Sequence, residues 1–196
     1  MQTLTIEHSN SWGYGKNFFF VDLYDADFNS GKKHTLYAQW APKLSLSNIT
    51  QIPIKFGIIN DIYLAGEVNQ GDGFQALNAG VALGLILPTF TYFDVNLFLR
   101  NDSYNKPNYQ VTLSWESRFS IFGAPFVFEG FLDHYGTDYG SSTVSQPHLL
   151  YELSAINSQV DNIQIGTELY YYRTSKSDYS PRVDELIPQF LVKWIF

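Results

Sequence analysis

Ionisable and aromatic side chains alternate with apolar ones along much of this 196-residue chain. In residues 16–25, KNFFFVDLYD, the even-numbered positions 18–24 carry aromatic and acidic side chains. The odd-numbered positions Phe19, Val21 and Leu23 form a purely apolar row of the opposite parity. Aromatic faces stack on flat rings, whereas carboxylates and guanidinium groups hydrogen-bond hydroxyl groups and ring edges. Rows of both side-chain types therefore predict a surface that could contact a flat ring and its hydroxyl groups.

Sorting each alternating segment by its apolar parity assigns the other side chains to an opposite, inward face. The candidate binding residues on that face are Glu7, Phe18, Phe20, Asp22, Tyr24, Asp61, Tyr63, Tyr92, Asp94, Arg100, Glu116, Arg118, Glu129, Phe131, Asp133 and Lys193. The same sorting adds Tyr37, Lys55, Phe98, Tyr135, Glu152, Glu168 and Tyr170. A second interpretation stays open, because the interior of any narrow barrel is filled by paired charges and packed rings.

Other chemistry has less support in the sequence. His8, His34, His134 and His148 show neither HxH nor HxxxH spacing, so no metal site is expected. The chain has no cysteine and no GxSxG motif, and we therefore expect neither an enzyme nor a cofactor. The GxG at 13–15 precedes a predicted strand and not a helix, which does not suit a dinucleotide site.

Composition narrows the class of protein. Hydrophobic residues make up 45% and charged residues only 16%, against about 25% charged residues in ordinary domains. The mean hydropathy is −0.14, and no apolar run reaches the roughly 18 residues of a spanning helix, which excludes a helical membrane protein. The net charge of −7 argues against a nucleic-acid partner. Alternation with an apolar face fits strands that face lipid.

The alternation predicts about eleven strands and no helix. The predicted strands are residues 3–9, 16–25, 34–46, 54–68, 74–87, 91–100, 108–120, 125–135, 147–155, 162–174 and 185–196. Each is near the length that a tilted strand needs to cross a bilayer. We therefore predict one all-β domain over 1–196, folded as a transmembrane antiparallel up-and-down β-barrel.

The links between the strands carry a second signal. Polar loops are predicted at 26–33, 69–73, 102–107, 136–146 and 175–184, with mostly tighter links between them. Long loops on one side and short turns on the other are typical of transmembrane barrels. The predicted count of eleven strands is odd. If Phe196 ends the last strand on the periplasmic side, counting backwards places the start of strand 3–9 on the extracellular side, whereas bacterial single-chain barrels have an even count with both ends periplasmic. We therefore expect a missing first strand and a full barrel of about twelve strands.

Several segments resemble the Tsx/OmpK family of nucleoside-specific outer-membrane channels. The most telling is TLTIEHSNSWGYGKNFFFVDLYDAD at 3–27, and APKLSLSNIT, PIKFGIINDIYLAGE and FEGFLDHYGTDYG follow in the family's order. The C-terminal QFLVKWIF resembles the terminal strand that the outer-membrane barrel assembly machinery reads. The family's first strand and signal peptide are missing from this sequence, in agreement with the odd strand count.

The resemblance implies a narrow, monomeric channel in the bacterial outer membrane that passes nucleosides and deoxynucleosides by diffusion. The implied partners are these ligands, outer-membrane lipids, the assembly machinery through Phe196, and phages or colicins. Within the segment that matches the family best, Phe18, Phe20, Asp22 and Tyr24 are the preferred contacts for a base and its ribose, with Glu7 on the neighbouring strand.

Two other functions stay open at this point. One is a surface receptor or structural barrel with a plugged interior, and the other is a soluble ligand-binding barrel or sandwich whose apolar face packs against protein. The tryptophans and several tyrosines are expected to form girdles at the membrane interfaces rather than stacking sites. These girdle residues are Trp12, Tyr14, Trp40, Tyr109, Trp115, Tyr151 and Trp194.

Overall fold

The computed structural model describes residues 2–24, 35–156, 160–175 and 182–196. Most of them belong to the strands β1 (Thr3–Trp12), β2 (Gly15–Tyr24), β3 (Thr35–Ser45), β4 (Ile59–Gly71), β5 (Phe74–Leu85), β6 (Phe90–Asp102), β7 (Asn108–Ile121), β8 (Ala124–Thr137), β9 (Gly140–Ser145), β10 (His148–Glu152), β11 (Ile163–Thr174) and β12 (Val183–Trp194). One short helix, α1 (Leu46–Thr50), and a 3₁₀ turn at Leu153–Ala155 complete the described elements. None of the helices in these ranges is long and apolar enough to cross a membrane.

The strands form one antiparallel sheet in which each strand pairs with its neighbours in sequence. The strands β9 and β10 share one position, since both lie between β8 and β11. The predicted all-β, antiparallel, up-and-down fold is therefore confirmed, and its strand order is that of up-and-down β-barrels. The predicted segment 147–155 is strand only over His148–Glu152.

A glycine and a proline produce the break between β9 and β10. Gly130 of β8 has a φ of 150°, and a Cβ there would collide with the Gln146 carbonyl and lie 2.8 Å from Pro147 Cα. Pro147 has no N–H to donate to a neighbouring strand, so a regular ladder stops at this point. The Pro147 carbonyl oxygen still accepts a 3.0 Å hydrogen bond from Leu169 N. Two short strands can therefore occupy one position in the sheet.

The contacts divide the chain into two compact units. The first contains Met1–Leu83 and Asn96–Gln110, and the second contains Gly84–Val95 and Val111–Phe196. In the first, the small apolar cluster of Ala65, Ala82 and Phe98 is buried. The larger side chains at neighbouring positions, Leu64, Leu77 and Leu97, are exposed.

The second unit also exposes large apolar side chains that a soluble protein would bury. Val127 and Leu150 are fully buried and pair across β8 and β10. Leu149, next to this pair, is exposed, as are most large apolar side chains of β12. Polar residues nevertheless outnumber apolar ones among the buried residues of both units, whereas many large apolar side chains are exposed. The buried polar residues include Glu67, Asn69 and Asn78 in the first unit and Asp94, Ser142 and Gln164 in the second.

Two predicted polar loops belong mostly to strands. The strand β4 continues to Gly71 and β8 to Thr137, and tight turns lead directly into β5 and β9. Gly73, with a φ of 71°, provides the left-handed backbone of the first turn. The prediction of loops at 69–73 and 136–146 is wrong because polar residues such as Asn69 bond to other side chains within the sheet.

The helix α1 replaces the beginning of the predicted strand 54–68, which starts only at Ile59. Ser45 caps the helix by accepting a 3.0 Å hydrogen bond from Asn48 N. Lys55 lies in the link after the helix, so its predicted place on a strand face is wrong. One helical turn is too short to show a hydrophobic period, and the serine cap is its main local signal.

The predicted sorting of long and short links does not hold for the described links. The link at 46–58, among those expected to be mostly tight, is longer than the turns at 72–73 and 138–139, where polar loops were expected. The predicted loop at 26–33, most of the loop at 175–184, and His34 lie outside the described residues.

Candidate functional site

Aromatic rings follow one another along the β2 and β3 side of the first unit. The ring centroids of Phe18 and Phe20 lie 5.9 Å apart, and those of Phe20 and Tyr37 lie 5.8 Å apart. Glu7 is opposite Phe20 in the pairing of β1 with β2, but β1 is exposed along its whole length. The structure thus brings the predicted aromatic residues together and places Glu7 beside them without burying it.

Asp22 is the buried acid of this group. Its carboxylate accepts hydrogen bonds from Thr5 Oγ1 at 2.7 Å and from Tyr24 Oη at 3.0 Å. Farther along the same unit, the Lys16 ammonium lies 4.7 Å from the ring centroid of Tyr63. Predicted Asp22, Tyr24 and Tyr63 therefore all belong to bonded clusters, and Lys16 is a cation that sequence reasoning missed.

Glu67 of β4 is the centre of a polar network that the sequence analysis also missed. Only 3% of the residue is exposed. One carboxylate oxygen, Oε1, accepts hydrogen bonds from the amide nitrogens of Asn69 at 2.7 Å, Asn78 at 2.8 Å and Gln110 at 3.2 Å. All three donors are neutral, and Glu67 makes no ion pair with any residue that the structure describes.

Arg100 extends this network towards the loop after β6. Its Nη1 donates to Gln110 Oε1 at 2.5 Å, and its Nε donates to Asp102 at 2.8 Å. Asp102 also accepts from the backbone nitrogens of Tyr104 and Asn105. We call Glu67, Asn69, Asn78, Arg100, Asp102 and Gln110 the Glu67 network. Glu67 has the parity of the predicted Asp61 and Tyr63, and extending that parity to amide side chains would also have found Asn69, Asn78 and Gln110.

Asp61, at the other end of β4, is held by hydroxyl groups. Its carboxylate accepts from Ser45 Oγ at 2.5 Å, Ser47 Oγ at 2.7 Å and Ile62 N at 2.8 Å. These bonds tie the N-cap of α1 to the first turn of β4. A polar cavity of about 370 Å³ lies between Asp61, α1 and the following link, where Lys55 also lies.

Alternate residues of β6 confirm the predicted inward parity of that strand. Asp94, Asn96, Phe98 and Arg100 are all buried. Tyr92 has the same parity but is 40% exposed. The period-2 pattern therefore gives the buried face of β6 correctly, except near the beginning of the strand.

In the second unit, predicted charges pair with one another. Arg118 bonds to Glu116 at 2.9 Å and to Glu152 at 2.7 Å. Gln164, 2% exposed, donates through Nε2 to Glu152 at 3.2 Å. Half of the Arg118 side chain is exposed, so this arginine is the accessible end of the group.

His148 links a second set of charges in this unit. Its Nε2 lies 2.7 Å from Glu168 and its Nδ1 lies 3.4 Å from Glu129. Lys193 pairs with Glu129 at 2.7 Å. Sequence reasoning considered His148 only as a metal ligand, although its alternation with Leu149 indicated the inward face. Among the described residues, no three His, Cys, Asp or Glu side chains are placed to hold a metal ion.

Two further predicted residues of the second unit lie on β8, and Tyr170 lies on β11. Asp133 accepts a 2.6 Å hydrogen bond from Thr112 Oγ1. Phe131 is partly buried, and its carbonyl oxygen accepts from Ser145 Oγ at 2.8 Å. These two residues are on the side of β8 that carries Glu129, as the alternation predicts.

The aromatic residues predicted for the girdles differ in exposure. Trp12, Trp40 and Trp194 are exposed. Trp115 instead packs between Phe93 and Phe128, with ring centroids 6.5 and 5.7 Å away, and its indole nitrogen is buried without a hydrogen-bond partner. The interfacial girdles stay a prediction.

No protein-family model matches the chain. A curated relative, outer membrane protein OmpK of Vibrio parahaemolyticus, is 24% identical over 140 residues, which cover 66% of this chain and 53% of the relative. The similarity supports the resemblance to the Tsx/OmpK family at low identity. The chain spans about half the length of this relative.

The described arrangement offers two kinds of contact to a small molecule. Rings such as Phe18 and Phe20 can stack on a flat base, and each such contact contributes about 1–3 kcal/mol. Carboxylates such as Asp22 and Glu67 can accept hydrogen bonds from hydroxyl groups. Both kinds of contact would serve the binding of a small molecule.

Proposed function

We propose that this protein is a bacterial outer-membrane β-barrel channel through which nucleosides and deoxynucleosides diffuse passively. The observation that carries the proposal is the burial pattern of each unit, in which ionisable and amide side chains are buried and large apolar side chains are exposed. Lipid is the surrounding that makes such an exposed face favourable. The similarity to an outer membrane protein supports the same location.

Passage through such a channel requires contacts that form and break easily. The aromatic row of Phe18, Phe20 and Tyr37 provides stacking surfaces beside the Asp22 carboxylate. A base and its ribose could therefore bind weakly at successive places without being retained. A sugar without a base would lose the stacking contribution.

Liposome swelling tests this function. In proteoliposomes of the whole protein, thymidine or adenosine should enter faster than a sugar of similar size. Phe20→Leu should reduce this advantage because a stacking ring is lost, whereas Phe19→Leu, on the opposite and exposed face of β2, should leave it unchanged. Equal entry of nucleoside and sugar would contradict nucleoside selectivity.

The Glu67 network favours a second candidate function. Its side chains connect β4, β5, β6 and β7 within the first unit by short hydrogen bonds, and such cross-links also suit a barrel with a filled interior. A receptor or structural protein would need no passage. Liposomes that swell with neither sugars nor nucleosides, although the protein is folded, would favour this alternative.

The proposed partners follow from the same assignment. Outer-membrane lipids would contact exposed apolar side chains such as Leu97 and Leu99. The exposed C-terminal Phe196 would be read by the barrel assembly machinery, and phages or colicins would bind the loops. The channel would act as a monomer, without nucleic acid, metal or cofactor.

A further inference from the structure

We propose that the passage prefers cations to anions. This inference rests on the channel function proposed above and adds to it an electrical selectivity for small inorganic ions. It is carried by buried carboxylates that lack a cationic partner and by buried amide oxygens that lack a donor.

Two carboxylates on one face of β4 carry the first part of the argument. Asp61 and Glu67 are 7% and 3% exposed and are separated by six residues, which places them roughly 20 Å apart along a strand. Asp61 is held by two serine hydroxyls and backbone nitrogens, and Glu67 by three amides. Neither makes an ion pair with a described residue. Hydrogen bonds from neutral donors stabilise such a charge without cancelling it.

Two buried amides provide an independent sign of the same preference. Asn78 donates through its nitrogen to Glu67 and Gln110, while its Oδ1 has no hydrogen-bond partner among the described residues. In the second unit, Gln164 donates to Glu152, while its Oε1 has no partner in the part of the chain that the structure describes. Both oxygens are acceptors, so a cation, or a donor group of a solute, satisfies them and an anion does not.

The charged side chains on this face of the first unit also sum to a negative charge. Its strands carry the cations Lys16, Lys43 and Arg100 on the face of the aromatic row or of the Glu67 network. The acids with this parity in the first unit are more numerous, namely Glu7, Asp22, Asp61, Glu67 and Asp102. Among the described strand residues with this parity, five carboxylates therefore stand against three cations.

In the second unit the balance is similar. The paired charges contain the carboxylates Glu116, Glu129, Glu152 and Glu168, against the permanent cations Arg118 and Lys193. Asp133 adds a further acid on β8. Even with His148 protonated, the acids outnumber the cations.

Such an excess has a direct consequence for ions. Surfaces of one sign within low-dielectric walls raise the local concentration of counter-ions, by about ten-fold or more, and rings of acidic side chains select cations in channels. A neutral nucleoside is not repelled by this field, whereas a nucleoside monophosphate is. Potassium should therefore pass more readily than chloride.

The reversal potential in a planar bilayer tests the inference. With the whole protein between dilute and tenfold more concentrated potassium chloride, the reversal potential should have the sign of potassium selectivity, with a permeability ratio on the order of ten. Dilute salt is needed because screening shortens the reach of each charge. Asp61→Asn and Glu67→Gln keep the side-chain size and remove the charge, and each should lower this ratio by about two-fold or more.

Asp72→Asn is the matched control, because it removes one negative charge from the exposed turn between β4 and β5. It should leave the ratio near that of the unmodified protein. A reversal potential of zero, or one with the sign of chloride selectivity, would overturn the cation preference while leaving the channel function intact. The same conclusion would follow if the Asp61→Asn and Glu67→Gln variants both had the permeability ratio of the control. A folded protein that carries no current at all would overturn the channel and this inference with it.

Discussion

One oxygen of the Glu67 carboxylate accepts hydrogen bonds from amides on β4, β5 and β7. At the scale of the residue, this contact decides how three neighbouring side chains are oriented. Gln110, which is 1% exposed, in turn accepts from Arg100. A change at Glu67 should therefore affect donors on several strands at once.

Replacing Glu67 by leucine should lower the free energy of unfolding markedly. The substitution leaves three buried amide donors without their acceptor, and each unsatisfied group costs roughly 1–3 kcal/mol. Glu67→Gln keeps an acceptor oxygen and should cost less. Denaturant unfolding in detergent measures both changes. If Glu67→Leu is no less stable than Asp72→Leu in the exposed turn, the role given to this network is wrong.

At the scale of the element, the break between β9 and β10 depends on backbone geometry in β8. Gly130 combines a positive φ with close approach to Gln146 and Pro147. An L-residue is strained there, and its Cβ would also collide with the neighbouring backbone. The break therefore depends on two residues that lie opposite each other, Gly130 in β8 and Pro147 between β9 and β10.

Gly130→Ala should destabilise the protein by about 1–3 kcal/mol or more, since both the strained φ and the collision oppose it. Gly66→Ala in β4 is a suitable control, because a Cβ there would meet nothing closer than 3.7 Å. Comparing the unfolding midpoints of the two variants checks this expectation. Equal midpoints would show that the backbone of β8 can relax without cost.

The alternation of side chains was sufficient to predict most strands and the buried face of β6. Asp94, Phe98 and Arg100 lie where the period of two places them. The pattern could not predict α1, because one turn held by the Ser45 cap has no period. It also gave no sign of the break at Pro147, which depends on Gly130 of another strand.

The binding groups were predicted less completely than the strands. Charged and aromatic residues were selected by type, so the amides Asn69, Asn78 and Gln110 were missed although they have the inward parity. His148 was missed because it was considered for metal alone, whereas it pairs with two glutamates. Which side chains bond to one another depends on the pairing of strands, and a period of two does not encode that pairing.

At the scale of the whole molecule, each unit has the same distribution of side chains. Buried positions are mostly polar, such as Glu67 and Asn78 in the first unit and Asp94 and Gln164 in the second, and many exposed positions carry large apolar side chains. A soluble protein would gain nothing from this arrangement, because burying polar groups is costly and exposing apolar ones is unfavourable. The proposed channel, with lipid outside and a polar passage inside, would account for both halves of the pattern.

The most direct test of the proposed channel is nucleoside block of the ion current through single molecules of the whole protein in a planar bilayer. Thymidine should reduce the current in a saturable, concentration-dependent manner, and ribose at the same concentrations should not. Phe20→Leu should raise the half-blocking concentration by about five-fold or more, as expected when a stacking ring is lost. An open channel whose current is affected equally by thymidine and ribose would contradict the account.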